Sequence, residues 1–310
     1  MVKNGVRRSG FGSVAARLGC RAVALGMAWL VGVGLAHADA GIGPAAQLQA
    51  RYTALQPQLN ASPFKRPLYL VSTEAPGALS GEVYAVMAYP LSVVSQAFTD
   101  PAQWCDMLIL HINTKDCHAL ARPTGSQLLV YIGKKDFQAL AQAAPVEFDY
   151  RVVTASGTYF DVALTAKNGP LGTSDYRIRL EAVALPGDKS FLHVTYSYGF
   201  GLAGRLAMQA YLATAGRNKV GFTRTPPAPD GQLGYIGGMR GVVERNTMRY
   251  YLALEAYLDG IKAPPAQQFE QRLQSWYSAT EMYPRQLREV DRNTYLNMKR
   301  REGVRQKASP

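Results

Sequence analysis

Polar side chains interrupt the longest helical pattern of the sequence, and they are the first candidates for chemistry. Apolar residues recur at helical spacing over residues 236–261, and charged and amide groups break this pattern at residues 244–249. If this helix packs on a sheet, Asn246 faces the interior between apolar neighbours, namely Met239, Val243 and Tyr250. A buried amide needs hydrogen-bond partners, and a hydroxyl or carboxylate of a ligand is one way to supply them.

Two arginines of the same helix, Arg240 and Arg245, are candidates for holding the polar end of such a ligand together with Asn246. A structural interpretation stays open beside this one. Protein groups can satisfy Asn246, the charges can face water, and Arg240 and Glu244 form an i, i+4 pair of the kind that stabilises a helix surface.

Tyrosines are frequent in the segments that predict strands. A tyrosine ring can line an apolar cavity while its hydroxyl meets water or a ligand, although aromatic residues are also ordinary strand formers. Alternate residues of a strand face opposite sides, so part of the set at most can line one cavity. Five of them are our cavity candidates: Tyr84, Tyr150, Tyr159, Tyr196 and Tyr198.

Two cysteines and two histidines fall within 14 residues, at Cys105, His111, Cys117 and His118. Their spacing matches none of the usual zinc patterns, and Thr114 stands where a haem-attachment motif needs cysteine. A disulfide between Cys105 and Cys117 is the favoured interpretation, and on the chain-entropy model it would stabilise the fold by about 3 kcal/mol. We expect no metal and no cofactor.

The segment from Gly199 to Gly204 satisfies the G-x-G-x-x-G pattern of dinucleotide sites. The preceding strand belongs to predicted hairpins, and no acidic residue stands at the end of the next strand. We therefore favour a bend from strand to helix that the glycines make possible. The sequence contains no G-x-S-x-G, H-E-x-x-H or Walker motif.

The N-terminus predicts where the protein works. Residues 1–38 carry five basic and no acidic residues, an apolar run at 22–35 too short to span a bilayer, and a small-x-small site at Ala36 and Ala38. This is the pattern of a cleaved signal peptide, and it predicts export, with the periplasm of a Gram-negative bacterium as the destination. Arg7-Arg8 leaves twin-arginine export open, while general secretion is favoured.

Charge is distributed unevenly along the chain. The formal net charge is +12, and removal of the signal leaves about +7, most of it after Lys262. The main body is nearly neutral, which argues against nucleic-acid binding. The basic tail is either a solvated helix face or a contact for anionic lipid or an envelope protein.

The order of elements follows from periodicity and from breaks at proline and glycine. We predict a short helix over 45–60 that Pro57 either kinks or ends early, strands at 68–72 and 82–89, helices at 91–98 and 100–108, then five antiparallel strands. A long helix at 236–261 and a helical region at 267–301 follow. The five strands are predicted at 127–132, 146–154, 159–167, 176–185 and 191–198.

This order resembles the helix-grip fold of the START-like lipid-transfer superfamily over residues 65–260. The resemblance implies an α+β fold in which a curved antiparallel sheet grips a long C-terminal helix above an apolar cavity, with a helical C-terminal extension. The expected parts are a signal peptide (1–38), an N-terminal helical segment (39–64), the helix-grip domain (65–262) and a basic helical tail (263–310).

Three functions fit this pattern. The first is an exported binding protein that holds a lipid or another mostly apolar small molecule. The second is a cyclase-like or hydrolase-like enzyme of the kind found in the same superfamily. The third is an interaction module that acts through residues 263–310. Fold alone does not choose among them.

Overall fold

A computed structural model describes residues 43–123, 125–214, 216–227, 231 and 234–308. The predicted signal peptide, including Ala36 and Ala38, lies outside these residues. None of the helices formed by the described residues is long and apolar enough to cross a bilayer.

One antiparallel sheet of eight strands forms the centre of the molecule. Its strands are β1 (Leu68–Ala75), β2 (Ala78–Met87), β3 (Thr114–Arg122), β4 (Gly125–Ile132), β5 (Ala144–Ala155), β6 (Tyr159–Asn168), β7 (Thr173–Leu185) and β8 (Lys189–Phe200). They lie in the order β1-β2-β8-β7-β6-β5-β4-β3. The predicted hairpins are therefore consecutive neighbours, and β2 pairs with β8. Two further residue pairs, β9 (Arg224–Thr225) and β10 (Gly234–Tyr235), form a separate small ladder.

β3 is a strand that the sequence pattern did not predict. Its residues Thr-Lys-Asp-Cys-His-Ala-Leu-Ala-Arg are mostly polar or small and carry little strand propensity. It forms because its hairpin partner β4 supplies a complete set of backbone hydrogen-bonding groups, with Cys117 opposite Val130. Tertiary pairing overrides local preference at this edge of the sheet.

The helices fall into three groups: one before β1, one between strands and one after the sheet. They are α1 (Pro44–Ala54), α2 (Gln56–Asn60), α3 (Leu91–Phe98), α4 (Pro101–Leu108), α5 (Leu202–Ala213), α6 (Gly238–Gly260), α7 (Pro265–Glu281), α8 (Pro284–Leu287) and α9 (Arg292–Ala308). The Asp100 side chain accepts a hydrogen bond of 2.8 Å from the Ala102 backbone N–H, so the predicted cap of α4 is present. The first helix breaks at Leu55, and Pro57 lies in the first turn of α2.

The two faces of the sheet carry different cores. Residues such as Val83, Val162 and Val194 alternate onto the inner face, where α3, α4 and α6 cover them. Leu48, Leu55 and Leu59 of α1 and α2 cover the outer face, against Phe191 and neighbouring strand residues. Helices therefore cover the inner face and part of the outer face, where strand residues such as Glu147, Asp149 and Arg177 stay exposed.

Helix α6 is the long helix that the sheet grips, and it is buried on almost every side. The sheet approaches it most closely at Gly81 of β2, where any side chain would collide with the Thr247 hydroxyl. On its other side lies α7. The helix-grip arrangement predicted from element order is confirmed.

The basic C-terminal helices pack onto the body of the molecule. Leu273, Trp276 and Tyr295 belong to the main core, and the Trp276 and Tyr295 rings stack with centroids 4.9 Å apart. A wholly solvated helix face was one expectation, and it is wrong for Lys299, which is fully buried against β3. Arg300 keeps 47% of its side chain exposed.

The Cys105–Cys117 disulfide is confirmed. It joins the C-terminal half of α4 to β3 and closes a loop that contains His111. The segment between helix and edge strand is thereby fixed at both ends.

Candidate ligand cavity

A cavity of about 710 Å³ lies between the inner face of the sheet, α5 and α6. Three tyrosines from β7, β8 and α6 line it, namely Tyr176, Tyr196 and Tyr250. Met208 of α5, Ile132 of β4 and Leu171 of the 3-10 turn Pro170–Gly172 add apolar surface. Its volume lies within the range of about 300–1,000 Å³ that is usual for small-molecule sites.

The aromatic wall follows from strand alternation. Tyr176, Tyr196 and Tyr198 all occupy inward positions of β7 and β8, and the Tyr176 and Tyr198 rings stack with centroids 5.3 Å apart. Tyr198 was predicted to line the cavity, but it supports Tyr176 from outside the lining. The Tyr196 ring lies 5.0 Å from the Tyr250 ring of α6. Burial raises the pKa of Tyr250 and of Tyr196, so both keep neutral hydroxyls at ordinary pH.

Charged residues collect at one end of the cavity, and we call Lys135, Lys219, Arg245, Arg249 and Glu289 the basic cluster. Glu289 Oε1 lies 2.6 Å from Lys135 Nζ and 2.6 Å from an Arg249 guanidinium nitrogen, and its Oε2 lies 3.3 Å from Lys219 Nζ. Lys135 and Glu289 reach the cavity wall. One carboxylate from the chain after α8 therefore joins three cations from different parts of the sequence.

The pKa shifts in the cluster reflect its positive charge. Burial raises the pKa of Glu289, but Arg249 and Lys135 outweigh it and hold that pKa below its usual value. Burial and then the charge of Arg249 lower the pKa of Lys135. Tyr211 of α5 also lines the cavity. Burial raises its pKa, but Lys135, which donates to its hydroxyl at 3.1 Å, and then Arg245 lower it below its ordinary value.

His111 forms part of the same wall. Its ring stacks on Tyr250 with centroids 4.7 Å apart, and its Nδ1 accepts a hydrogen bond of 3.2 Å from the Asn113 backbone N–H. Burial, followed by the charges of Arg249 and Lys299, lowers its pKa well below the usual value, so the ring is neutral. Because Nδ1 is an acceptor, the ring proton lies on Nε2.

The candidate residues of α6 occupy different environments. Asn246 lines the cavity, and its Oδ1 accepts a hydrogen bond of 3.3 Å from Arg249. The amide therefore has a partner within the protein and also reaches the cavity. Arg245 is buried behind the wall, where it donates to the Val220 carbonyl at 3.3 Å. Val243 is fully buried in the core, and Met239 packs at the edge of that core.

Arg240 lies away from this cavity. Its Nε donates to the Ser72 hydroxyl at 3.1 Å, and that hydroxyl donates to Glu244 Oε1 at 2.6 Å. Arg240 and Glu244 were predicted as a possible surface pair, and that prediction is wrong for Glu244, which is fully buried. Both residues instead fix α6 to β1 through Ser72.

Two of the tyrosine candidates face the other side of the sheet. Tyr84 and Tyr159 lie on the outer face beneath α1 and α2, and their hydroxyls donate to Glu82 and Glu181, each at 2.6 Å. Placing them in the cavity was wrong, because each is one residue out of phase with its inward neighbours. Tyr150 faces inward, but its hydroxyl donates to the Phe98 and Thr99 carbonyls at 2.8 Å, outside the cavity lining.

Several lining residues were missed by the sequence argument. Tyr176 was in phase with the apolar residues of its strand, so alternation could have identified it. His111 had been considered solely as a metal ligand, and the described residues contain no group of three metal-binding side chains. Lys135, Tyr211 and Glu289 gave no signal, because their proximity depends on tertiary packing.

The fold is a helix-grip arrangement, in which an antiparallel sheet holds one long helix, and the cavity beside that helix has an aromatic wall and one basic end. No protein-family model and no curated protein sequence matches the chain. The strand order and the seating of α6 on the sheet define the fold.

Solved structures of low identity resemble the chain. A START superfamily protein from Mycobacterium smegmatis is 16% identical, with 47% of this chain and 91% of that chain covered and a TM-score of 0.30. The Zhui aromatase/cyclase from a Streptomyces species is 10% identical, with 70% and 95% covered and a TM-score of 0.30. Norcoclaurine synthase from Thalictrum flavum, in complex with dopamine and hydroxybenzaldehyde, is 11% identical, with 48% and 79% covered and a TM-score of 0.31.

Proposed function

We propose that this protein is an exported binding protein that holds a lipid or another mostly apolar small molecule in the cavity between sheet, α5 and α6. The observation that carries the proposal is the hollow itself, about 710 Å³ in volume and walled by Tyr176, Tyr196, Tyr250 and Met208. The cavity is partly open to solvent, and its combination of an apolar aromatic wall with a few polar groups at one end is typical of small-molecule sites.

Export is the second part of the proposal. It rests on the signal-like pattern of residues 1–38 and on the Cys105–Cys117 pair, since disulfides persist in oxidising compartments. The periplasm of a Gram-negative bacterium is the compartment we propose. Fractionation of cells that produce the full chain, with N-terminal sequencing, tests this part. A cytoplasmic protein that keeps residue 1 would contradict it.

Native mass spectrometry of protein isolated from its own host tests the binding function. We expect a ligand mass on the wild-type protein and a loss of that mass in Ala144→Trp, which fills the cavity from its wall. The matched control is Ala155→Trp, at an exposed position at the other end of β5. Absence of any adduct, together with failure to bind an apolar fluorescent probe, would overturn the proposal.

A reaction in the same cavity is a second candidate, and the state of Tyr211 favours it. A cavity-lining hydroxyl with a lowered pKa and a lysine within 3.1 Å has the properties of a general acid–base. Incubating the copurified molecule with wild-type protein and with Tyr211→Phe tests this. Conversion by wild type alone, seen as a change of mass or, for a cyclisation that conserves mass, as a change of chromatographic retention, would support an enzyme of cyclase or hydrolase type. No change of either property with both proteins would exclude that reaction.

The interaction-module hypothesis has less support. An envelope protein that docks on residues 263–310 would need an apolar helix face, and Leu273, Trp276 and Tyr295 already bury that face in the core. A contact between the exposed basic residues of α9 and an anionic membrane surface stays a proposal of lower rank.

A further inference from the structure

We propose that the ligand is an amphiphilic anion, whose carboxylate, phosphate or sulfate head binds beside Lys135 and His111 while its apolar body lies along the tyrosine wall. This inference rests on the proposed binding function and specifies the class of molecule that is bound. It follows from the charge balance at one end of the cavity and from donors that protein groups leave unpaired.

The charge balance comes first. The basic cluster contains four cations, and Glu289 is the carboxylate that the described residues bring against them. Both Glu289 oxygens are already engaged, one of them by two cations. A net positive charge is therefore held in a largely buried place, where a second anion would interact strongly.

Unpaired donors are the second observation. His111 is 3% exposed, and its Nε2–H, on the ring that lines the cavity, meets no acceptor among the described residues. Arg245 and Arg249, each 1% exposed, likewise have an Nε without a partner in the described part of the chain. Buried polar groups are almost always paired. Of these three, His111 is the one whose ring lines the cavity, so it is the donor that an acceptor at the wall can pair, whereas Arg245 and Arg249 lie outside the lining and contribute positive charge.

The direction of the pKa shifts agrees with this geometry. Burial is the first cause of the lowered pKa of His111, Lys135 and Arg249. At Arg249 the charge of Glu289 acts against burial, whereas at His111 the charges of Arg249, Lys299, Lys135 and Lys115 all lower the pKa further, so the potential at this part of the cavity wall is positive. A cationic ligand would raise this repulsion, whereas an anion relieves it.

The other walls of the cavity indicate the chemistry of the rest of the ligand. Away from the basic cluster the walls are Tyr176, Tyr196, Ile132, Met208 and Leu171, which offer ring faces and aliphatic groups. A small inorganic anion would leave these surfaces unfilled. An anionic head on an apolar body fits both ends of the cavity.

Calorimetric titration of the purified protein with five probes of one chain length tests the inference: decanoate, decyl phosphate, decyl sulfate, decanol and decyltrimethylammonium. We expect the best anion to bind at least about tenfold tighter than decanol, as for a hydrogen bond to a charged group, and the cation to bind weakest. The order among the three anions identifies the head group.

Two variants test whether the preference for anions arises at the basic end of the cavity. Lys135→Met should weaken the binding of the anions far more than that of decanol, while Lys167→Met, at an exposed position of β6, serves as the control and should change neither. His111→Phe keeps a ring against Tyr250 but removes the Nε2 donor, so it should also weaken anions selectively. It gives an independent answer if the lysine variant does not fold.

The outcomes separate the two proposals. Equal affinity for decanol and all anions, or tightest binding of the cation, would overturn the anionic head and leave the binding function intact. Failure of all five probes to bind would count against the binding function itself.

Discussion

The ammonium nitrogen of Lys299 lies 2.8 Å from the carbonyl oxygen of His111. It also donates to the Thr114 carbonyl at 2.6 Å and pairs with Glu302 at 2.8 Å. The last helix therefore holds, through one buried side chain, the segment whose imidazole lines the cavity. A charge near the C-terminus has a direct structural link to the candidate binding site.

Replacing Lys299 with methionine should lower the free energy of unfolding by about 2–4 kcal/mol, because it removes the buried donor to the His111 and Thr114 carbonyls and leaves the buried Glu302 with Lys115 as its remaining cation. Urea denaturation measures this loss. Lys307→Met, at an exposed position of the same helix, is the control and should change stability by less than about 0.5 kcal/mol. Equal effects of both substitutions would contradict the role assigned to Lys299.

The outer face of the sheet should make stability depend on pH. The His193 ring lies 3.0 Å from Glu181 and 2.9 Å from Glu82. Burial lowers the pKa of His193, but its hydrogen bonds to Glu181 and Glu82 outweigh burial and raise that pKa above the ordinary value. The hydrogen bond from His193 lowers the pKa of Glu82.

The sign of the pH effect follows from these shifts. A raised histidine pKa gives stability that is fully present below about pH 6.5 and is lost as pH rises through the folded-state pKa. We expect His193→Gln to cost about 1–3 kcal/mol at pH 6 and clearly less at pH 9. Arg177→Gln, an exposed substitution on the same face, should show no such change, and parallel profiles for both variants would refute the assignment.

Loss of the disulfide should destabilise the fold and loosen the cavity wall. Cys105→Ser/Cys117→Ser is expected to reduce the free energy of unfolding by about 3 kcal/mol, as estimated for a loop of this size. A reducing agent should shift the unfolding midpoint of the wild type and leave the double variant unaffected. Ligand affinity should also fall, since His111 lies within the closed loop. Full affinity in the double variant would show that this segment needs no covalent support.

The two faces of the sheet should respond differently to tyrosine substitutions. Tyr159→Phe removes the hydrogen bond to Glu181 and should cost about 1 kcal/mol of stability without changing probe affinity. Tyr196→Leu removes part of the cavity wall and should weaken binding of an apolar probe by about tenfold, the effect of about 1.4 kcal/mol of lost contact. Weaker binding in Tyr159→Phe would place the ligand on the outer face.

The fold could be predicted from the sequence where local pattern and tertiary packing agree. The alternation in residues 176–185 and the helical spacing in residues 236–261 both arise from packing on the same core. These two patterns therefore predicted the bounds of β7 and α6 nearly completely. The order of the elements then restricted the arrangement to the helix grip. β3 was not predicted, because its pairing with β4 makes it a strand and its composition does not.

The site was less predictable, because its chemistry comes from distant parts of the chain. Asn246 and Tyr250 were found because they lie on one helix stripe. Tyr84 was predicted on the wrong face of the sheet, since the face of a strand residue is known only once it is known which residues of the same strand point inward. Glu289 follows Arg249 by 40 residues and approaches it through the packing of α7 and α8. Burial of a lysine such as Lys299 contradicts the usual exposure of that residue type, so no local pattern indicates it.

The helices that pack on the two faces of the sheet affect how a ligand can enter the cavity. Strands clamped between α1 and α2 on one side and α6 on the other cannot flatten to admit it without disrupting two cores. Helix α5 has weaker attachment: of its described residues, Gly204 alone is buried, against the Pro170–Gly172 turn. Uptake and release are therefore least costly through displacement of these twelve residues, and the exchange rate should rise when the contacts that hold α5 are weakened, such as that of Gly204 or the hydrogen bond from Lys135 to Tyr211.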